Sequence, residues 1–468
     1  MTSSRHTIGL GGQILFILCA VLIIDTLTAA AALGPSVIGW WAITLVAFVV
    51  PYALIATELG TAYPADGGLY DWVKRAFGDK MAARTSWLYW INVGLWMPAV
   101  YILFAGMASE LFDLELSLAA QVGLCILLTW LTVWFCNVAV DIGVGISKIG
   151  ALLKMVVILA LGVAGFIYAK EHGMANELTW QSMLPSFEGG VGFLPAIIYN
   201  LLGLELVACL GRDLKDPVRS MPKAMLLASL AIALLYVFGT LGILAALPVD
   251  QVGLVAGLTD ALKVLFADLP YGQFWVMGLG ILGLLTLISN MVSWTMGSSR
   301  AAAESAQAGE LPALLGYRHR RLGTPVGANC LTGLVSTLVI LCYGLLAQDN
   351  DELFWTVFAF SSTVFLLPYL LMFAAFLRLR LKDARHPRPF PLPASRPLAW
   401  LLTGCSLLFI LGALLLFIFP QLAEGIIDWQ ESSPLLLGLG LTLLLGEVLI
   451  HRRLGRTAQP KIARHTAG

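Results

Sequence analysis

A chain of 468 residues, 59% of them hydrophobic and only 12% charged, does not read as a water-soluble domain. Apolar stretches long enough to cross a bilayer as helices recur from one end to the other, so the chain reads as an all-α polytopic membrane protein with the lipid bilayer as its first partner. Zero net charge leaves no basic excess for nucleic acid.

Twelve spans are expected. The first, 13–33, contains LIIDTLTAAAALGPS at residues 22 to 36. Asp25 stands in the middle of that hydrocarbon run. A carboxylate there costs roughly 3 kcal/mol or more, and its short side chain cannot escape to an interface. Thr26, Thr28 and four alanines follow it. Small residues let neighbouring helices approach, and threonine hydroxyls can satisfy backbone groups where a helix is interrupted. The second span, 37–60, carries Glu58 near its end, and the third, 85–108, carries Trp90, Trp96 and Tyr101. The fourth covers 118–139. The fifth, 145–168, holds Lys148 about one turn from its edge and Lys154 about three turns in. The sixth, 191–211, includes IIYNLLGLELVACLG, with Tyr199, the weak helix formers Asn200 and Gly203 near its centre, and Glu205. The remaining spans are 223–247, 271–297, 327–347, 353–377, 398–419 and 433–451, with Trp294 in the eighth, Trp355 in the tenth and Glu447 in the twelfth.

Of the 28 Lys and Arg, only Lys170 and Lys263 fall on one side of these spans, and Lys148 and Lys154 lie within the fifth. All others fall on the opposite side, which the positive-inside rule makes cytoplasmic together with both termini. The first span is too long for a cleaved signal. The seven Cys lie in or beside apolar spans and read as small hydrophobes. The six His lie in loops, tails or at a helix end, so no metal site is expected.

An ionisable residue within the hydrocarbon is a functional candidate by default. Each also has a structural alternative. Glu58, Glu447 and Lys148 can snorkel or pair near their span ends, and the long stem of Lys154 leaves that open too. For Asp25 and Glu205 the alternative is a buried ion pair or an interhelical hydrogen bond. Most of the 14 Trp and 22 Phe are core or lipid-facing by default.

Three blocks resemble the amino acid–polyamine–organocation family. They are PYALIATELGTAYPADGGLYDWVKRAFG at 51–78, DLKDPVRSMPKAM at 213–225 and WTMGSSRAAAESAQAGELP at 294–312. They stand in family order, and the likeness runs through all twelve spans. The resemblance implies a fold like that of the leucine transporter, a five-plus-five inverted repeat with helices one and six unwound at mid-membrane. The implied layout is a tail over 1–12 and a ten-helix core over 13–377, with repeats at about 13–168 and 191–377. A loop over 378–397, helices eleven and twelve over 398–451, and a tail over 452–468 follow.

One departure matters. Family members carry a glycine-rich signature in helix one that grips a substrate carboxylate. Here Cys19 to Asp25 has no glycine, and Asp25 takes its place. This resembles the polyamine-uptake branch. Lys154 resembles a lysine of some members that sits where sodium-coupled relatives of the fold bind Na⁺.

The expected function is secondary active transport of a small amine, polyamine or amino acid by alternating access, independent of Na⁺ and either proton-coupled or exchanging. Asp25, Thr26, Tyr199, Asn200, Gly203, Glu205 and Trp294 are expected to bind substrate. Lys154, Asp25 and Glu205 are expected to carry the coupling. No cofactor is expected beyond H⁺ as coupling ion. The alternative is a neutral amino acid permease or antiporter with Asp25 serving proton coupling. An intramembrane enzyme is remote: the one YD pair, Tyr70–Asp71, falls in a loop, no GxGD occurs, and no His lies at mid-depth. A nutrient sensor would be expected to carry larger cytoplasmic tails.

Overall fold

The computed structural model describes residues 8–24, 27–65, 67–138, 140–186, 194–253, 257–346, 350–392 and 396–457. In hydrocarbon every backbone polar group must be satisfied within the segment, so the apolar spans become helices. The first is split into α1 (Leu10–Val21) and α2 (Leu27–Ala31). The second runs through α3 (Val37–Thr44), a π-helical turn at Leu45–Val49 and α4 (Val50–Ala62). Pro51 explains the wide turn, since its ring clashes with the carbonyl four residues back and offers no N–H to it.

Next come α5 (Leu69–Phe77), α6 (Asp79–Phe112), α7 (Leu118–Val138) and α8 (Val140–His172). The sixth span opens with α9 (Leu194–Asn200) and continues as a 3₁₀ helix, Leu204–Asp213. It is followed by α10 (Pro217–Ala246), α11 (Gly257–Phe266), α12 (Gly272–Gln307) and α13 (Val326–Leu346). The chain closes with α14 (Asn350–Lys382), α15 (Arg396–Ile418) and α16 (Trp429–Thr457). Among the described residues, ten helices are long and apolar enough to cross a bilayer. Two shorter apolar helices, α1 and Val326–Cys342, complete the twelve expected spans.

Two helices lie outside the expected spans. In α5, Leu69, Tyr70, Trp72, Val73 and Ala76 form a buried stripe at helical spacing, so the loop after the second span folds as an amphipathic helix. Helix α11 precedes α12. The eighth span, expected over 271–297, continues to Gln307. Hydropathy falls there at Ser298, Ser299 and Arg300, yet these residues are buried. Arg300 pairs with Asp213 at 2.7 Å, which offsets its charge inside the protein.

Helix α6 is central, packed by α12 and α14, while α1 lies against α8 and α10. Close packing needs small residues. A Cβ on Gly165 of α8 would meet the Cα of Gly242 on α10 at 2.6 Å, so this crossing depends on two glycines. A short parallel bridge joins the chain before α1 to the end of the sixth span: Ile8 N donates to Asp213 O at 3.0 Å and Lys215 N to Ile8 O at 2.9 Å.

Glu58 does not snorkel. It is 2% exposed. Arg380 Nη2 (2.6 Å), Arg388 Nε (3.0 Å) and the backbone N–H of Leu392 (2.7 Å) all donate to it. The residues after α14 are thereby strapped over the end of α4, where the His386 ring also stacks on Tyr63 at 4.5 Å. Glu58→Ala leaves two guanidiniums without their carboxylate. It is expected to destabilise the fold by about 3–5 kcal/mol, read as accelerated thermal unfolding in detergent. Unfolding at the wild-type rate would mean that the strap is surface decoration. Glu447 pairs with Arg84, whose Nη2 lies 3.1 Å from Oε2.

Candidate functional site

The two interrupted helices meet near the middle of the bundle. Helix α1 stops at Val21, and Leu22 to Ile24 are non-helical. Asp25 and Thr26, the next two residues, lie outside the described residues. Helix α9 stops at Asn200, Leu201 to Gly203 leave the helix, and Gly203 takes φ +110°. Only glycine adopts that conformation without strain. A Cβ there would also fall 2.8 Å from Cζ2 of Trp294. The expected break around Asn200 and Gly203 is therefore where the structure has it.

A break frees backbone groups, and side chains from neighbouring helices take them up. The Tyr236 hydroxyl of α10 accepts from Ile23 N (2.8 Å). Its own proton reaches Val21 O at 2.6 Å or Asn200 O at 3.1 Å, so it touches both broken helices. Trp294 Nε1 of α12 donates to Ala20 O at 2.9 Å. Tyr52 of α4 accepts from Gly203 N at 3.1 Å.

Lys154 of α8 is 1% exposed. Its ammonium donates to Cys19 O at 2.6 Å, to Leu22 O, and to Asn290 Oδ1 of α12 at 2.8 Å. An ammonium has three protons to give. Here they knit the end of α1 to α8 and α12. Lys148, the other lysine of the fifth span, is only half-buried, with its Nζ near Gly12 at the start of α1, away from the break. Of the two lysines, Lys154 is the one at the interrupted backbone.

Glu205 is fully buried just beyond the second break. Three tyrosine hydroxyls donate to it: Tyr89 of α6 at 2.7 Å, Tyr369 of α14 at 2.8 Å, and Tyr52. A carboxylate offers about four acceptor sites, so one is left over. The described residues put no Lys, Arg or His in an ion pair with it. Four helical segments thus converge on one acid, which is met by three tyrosine hydroxyls and by its own backbone N–H.

Aromatic rings pack beside this cluster. Trp96 of α6 meets Tyr199 edge-on at 5.8 Å and Trp294 at 6.0 Å. Phe365 of α14 stands 5.0 Å from Trp294 and 5.5 Å from Tyr199. Edge-on packing turns ring faces in several directions, and a ring face attracts a cation. The structure brings Tyr199, Asn200, Gly203, Glu205, Trp294, Trp96 and Lys154 together. It leaves two aromatic candidates elsewhere. Trp90 donates to Thr332 at 2.9 Å on α13, and Tyr101 is bonded to Thr132 on α7. The side chain of Trp355 lies outside the described residues.

The sequence reading missed Tyr52, Tyr89, Tyr369, Phe365, Tyr236 and Asn290. A tyrosine deep in an apolar span is the signal available for four of them, because a buried hydroxyl needs a partner. Among the described residues no group of three or more His, Cys, Asp and Glu is arranged to hold a metal ion. The chemistry on offer is non-covalent: a buried carboxylate, ring faces, and backbone groups freed by two breaks.

Residues 8–440 match the family model described as amino acid permease. The probable agmatine/putrescine antiporter of Lactococcus lactis subsp. lactis is 32% identical over 97% of this chain and 97% of its own length. The glutamate/gamma-aminobutyrate antiporter of the same organism is 22% identical over 79% of this chain and 75% of its own. Among solved structures, the Eremococcus coleocola manganese transporter superposes with TM-score 0.60 at 13% identity, over 95% of this chain and 94% of that one. MhsT in complex with L-phenylalanine does so with TM-score 0.60 at 14% identity, over 87% and 98%. These two likenesses speak for the fold. The family and the curated relatives are permeases and antiporters, which sets the enzyme reading aside. The chain belongs to the amino acid permease family, and is a multi-pass secondary transporter with interrupted first and sixth helices.

Proposed function

We propose that the chain exchanges small amines of the agmatine and putrescine class across the cell membrane, without Na⁺. The observation that carries this reading is Glu205, a buried carboxylate with no cationic side chain paired to it among the described residues, set beside aromatic ring faces at the junction of two broken helices. A site so built favours a cation that arrives from outside the protein. The name of the Lactococcus relative, matched over almost the whole chain, supports the same class.

In this reading Asp25, next to the break in the first helix, counters one substrate ammonium. Thr26 and Gly203 shape the backbone around it, and Glu205 takes a second amine or a proton. Tyr199, Asn200 and Trp294 enclose the ligand. Substrate ammonium and proton compete for the same carboxylates, which gives coupling without a separate ion. The Lys154 ammonium supplies the fixed positive charge against the carbonyls of Cys19 and Leu22 that a bound cation would otherwise supply. Both termini face the cytoplasm, as the distribution of Lys and Arg supports.

The test is counterflow in proteoliposomes loaded with putrescine. Labelled agmatine should enter at the same rate in Na⁺ and choline buffers, and Asp25→Asn should abolish its entry. Entry of neutral amino acids alone, unchanged in Asp25→Asn, would overturn the amine reading and leave Asp25 a structural or proton-coupling group.

A further inference from the structure

We propose that the groove between α4 and α10 is a binding site for one anionic phospholipid. The groove encloses about 280 Å³ and is apolar along its walls. Val49, at the end of the π-helical turn, and Val50, Ala53, Leu54 and Thr57 of α4 supply one wall as a single stripe. That stripe spans about 12 Å at helical rise, enough to take a good part of an acyl chain. It opens sideways, since Val50 is 52% and Leu226 69% exposed. In a membrane-spanning bundle the medium on that side is lipid, so hydrocarbon is the material at hand.

Charge chooses among lipids. Lys223 of α10 stands on the groove wall. It forms no ion pair or hydrogen bond among the described residues. It lies about 9 Å from the start of α10, where a flexible stem carries an ammonium to headgroup level. Arg219, one turn earlier on the same face, is held among the described residues only by Asp216 at 3.8 Å. This end of the bundle carries most of the Lys and Arg. A basic rim over a chain-sized apolar slot fits a phosphate with an acyl tail beneath it, and a zwitterionic headgroup fits it less well. The far wall adds a consequence. Phe390 lines the groove and belongs to the strap that Glu58 holds through Arg388 and Leu392. A lipid seated there touches α4, α10 and the strap at once, so its occupancy bears on how these elements move past one another.

Native mass spectrometry of the purified full chain tests this. The protein is delipidated and offered equal palmitoyl-oleoyl phosphatidylglycerol and phosphatidylcholine. Wild type should keep one phosphatidylglycerol, with about fivefold preference, the worth of one lysine at about 1 kcal/mol. Lys223→Gln should bring retention down to the phosphatidylcholine level, while Arg321→Gln, an exposed loop change outside the groove, should leave it intact. Ala53→Trp, which fills the slot, should remove bound lipid of both kinds. Should that variant fail to fold, the Lys223 comparison still decides. Equal retention of the two lipids by wild type, or equal loss in the Lys223 and Arg321 variants, would reduce the groove to annular lipid and sink the proposal.

Discussion

Glu205→Gln is expected to lower amine uptake in proteoliposomes on the order of 10²–10³-fold, from about 3–4 kcal/mol for removing one partner of a buried charge pair. Folded yield should stay near wild type. Glutamine has the same shape, its oxygen still accepts from tyrosine hydroxyls, and its amide can donate to a hydroxyl that turns round. The three tyrosines, Tyr52, Tyr89 and Tyr369, therefore keep a partner while the charge disappears. Two measurements belong together: counterflow of agmatine, and thermal stabilisation by putrescine, which a ligand of the folded state must produce. Lost uptake with lost stabilisation assigns the charge to binding. Lost uptake with stabilisation retained assigns it to the transport cycle. Full uptake in Glu205→Gln would make the residue a structural knot for four helices, and the site would have to rest on Asp25.

Lys154→Met is expected to damage both structure and transport. Methionine fills much of the lysine volume but donates nothing. Cys19 O, Leu22 O and Asn290 Oδ1 then lose the ammonium they share, in a place water does not easily reach. Each buried acceptor left without its donor costs about 1–3 kcal/mol. Faster thermal unfolding and uptake near background should follow, with or without Na⁺. A variant that unfolds at the wild-type rate would show that the end of α1 holds its shape without α8. Wild-type uptake that requires Na⁺ would refute the role given to this ammonium, whatever the variant does.

Much of this molecule was open to reading from its residues. Membrane spans are legible because hydrocarbon tolerates little besides apolar helix, so composition dictates structure almost locally. The break of the sixth span was legible because Asn200 and Gly203 are poor helix formers in the middle of an apolar run. Lys154 and Glu205 stood out because a charge in lipid demands a reason. Tertiary structure decided the partners. Glu58 and Glu205 are both acids inside apolar spans, one near a span end and one near its middle, and neither position names its partners. Packing gives Glu58 two arginines and a backbone amide from beyond residue 379, and gives Glu205 three tyrosines from α4, α6 and α14. Trp90 and Trp96 stand on the same helix. The 3.6-residue turn sends Trp90 to α13 and Trp96 to the junction of the broken helices. Hydropathy measures a residue's preference for lipid or water, and it carries no information about which distant residue will stand opposite. That depends on contacts between segments from 116 to 334 residues apart in the chain, and only the packed bundle brings them together.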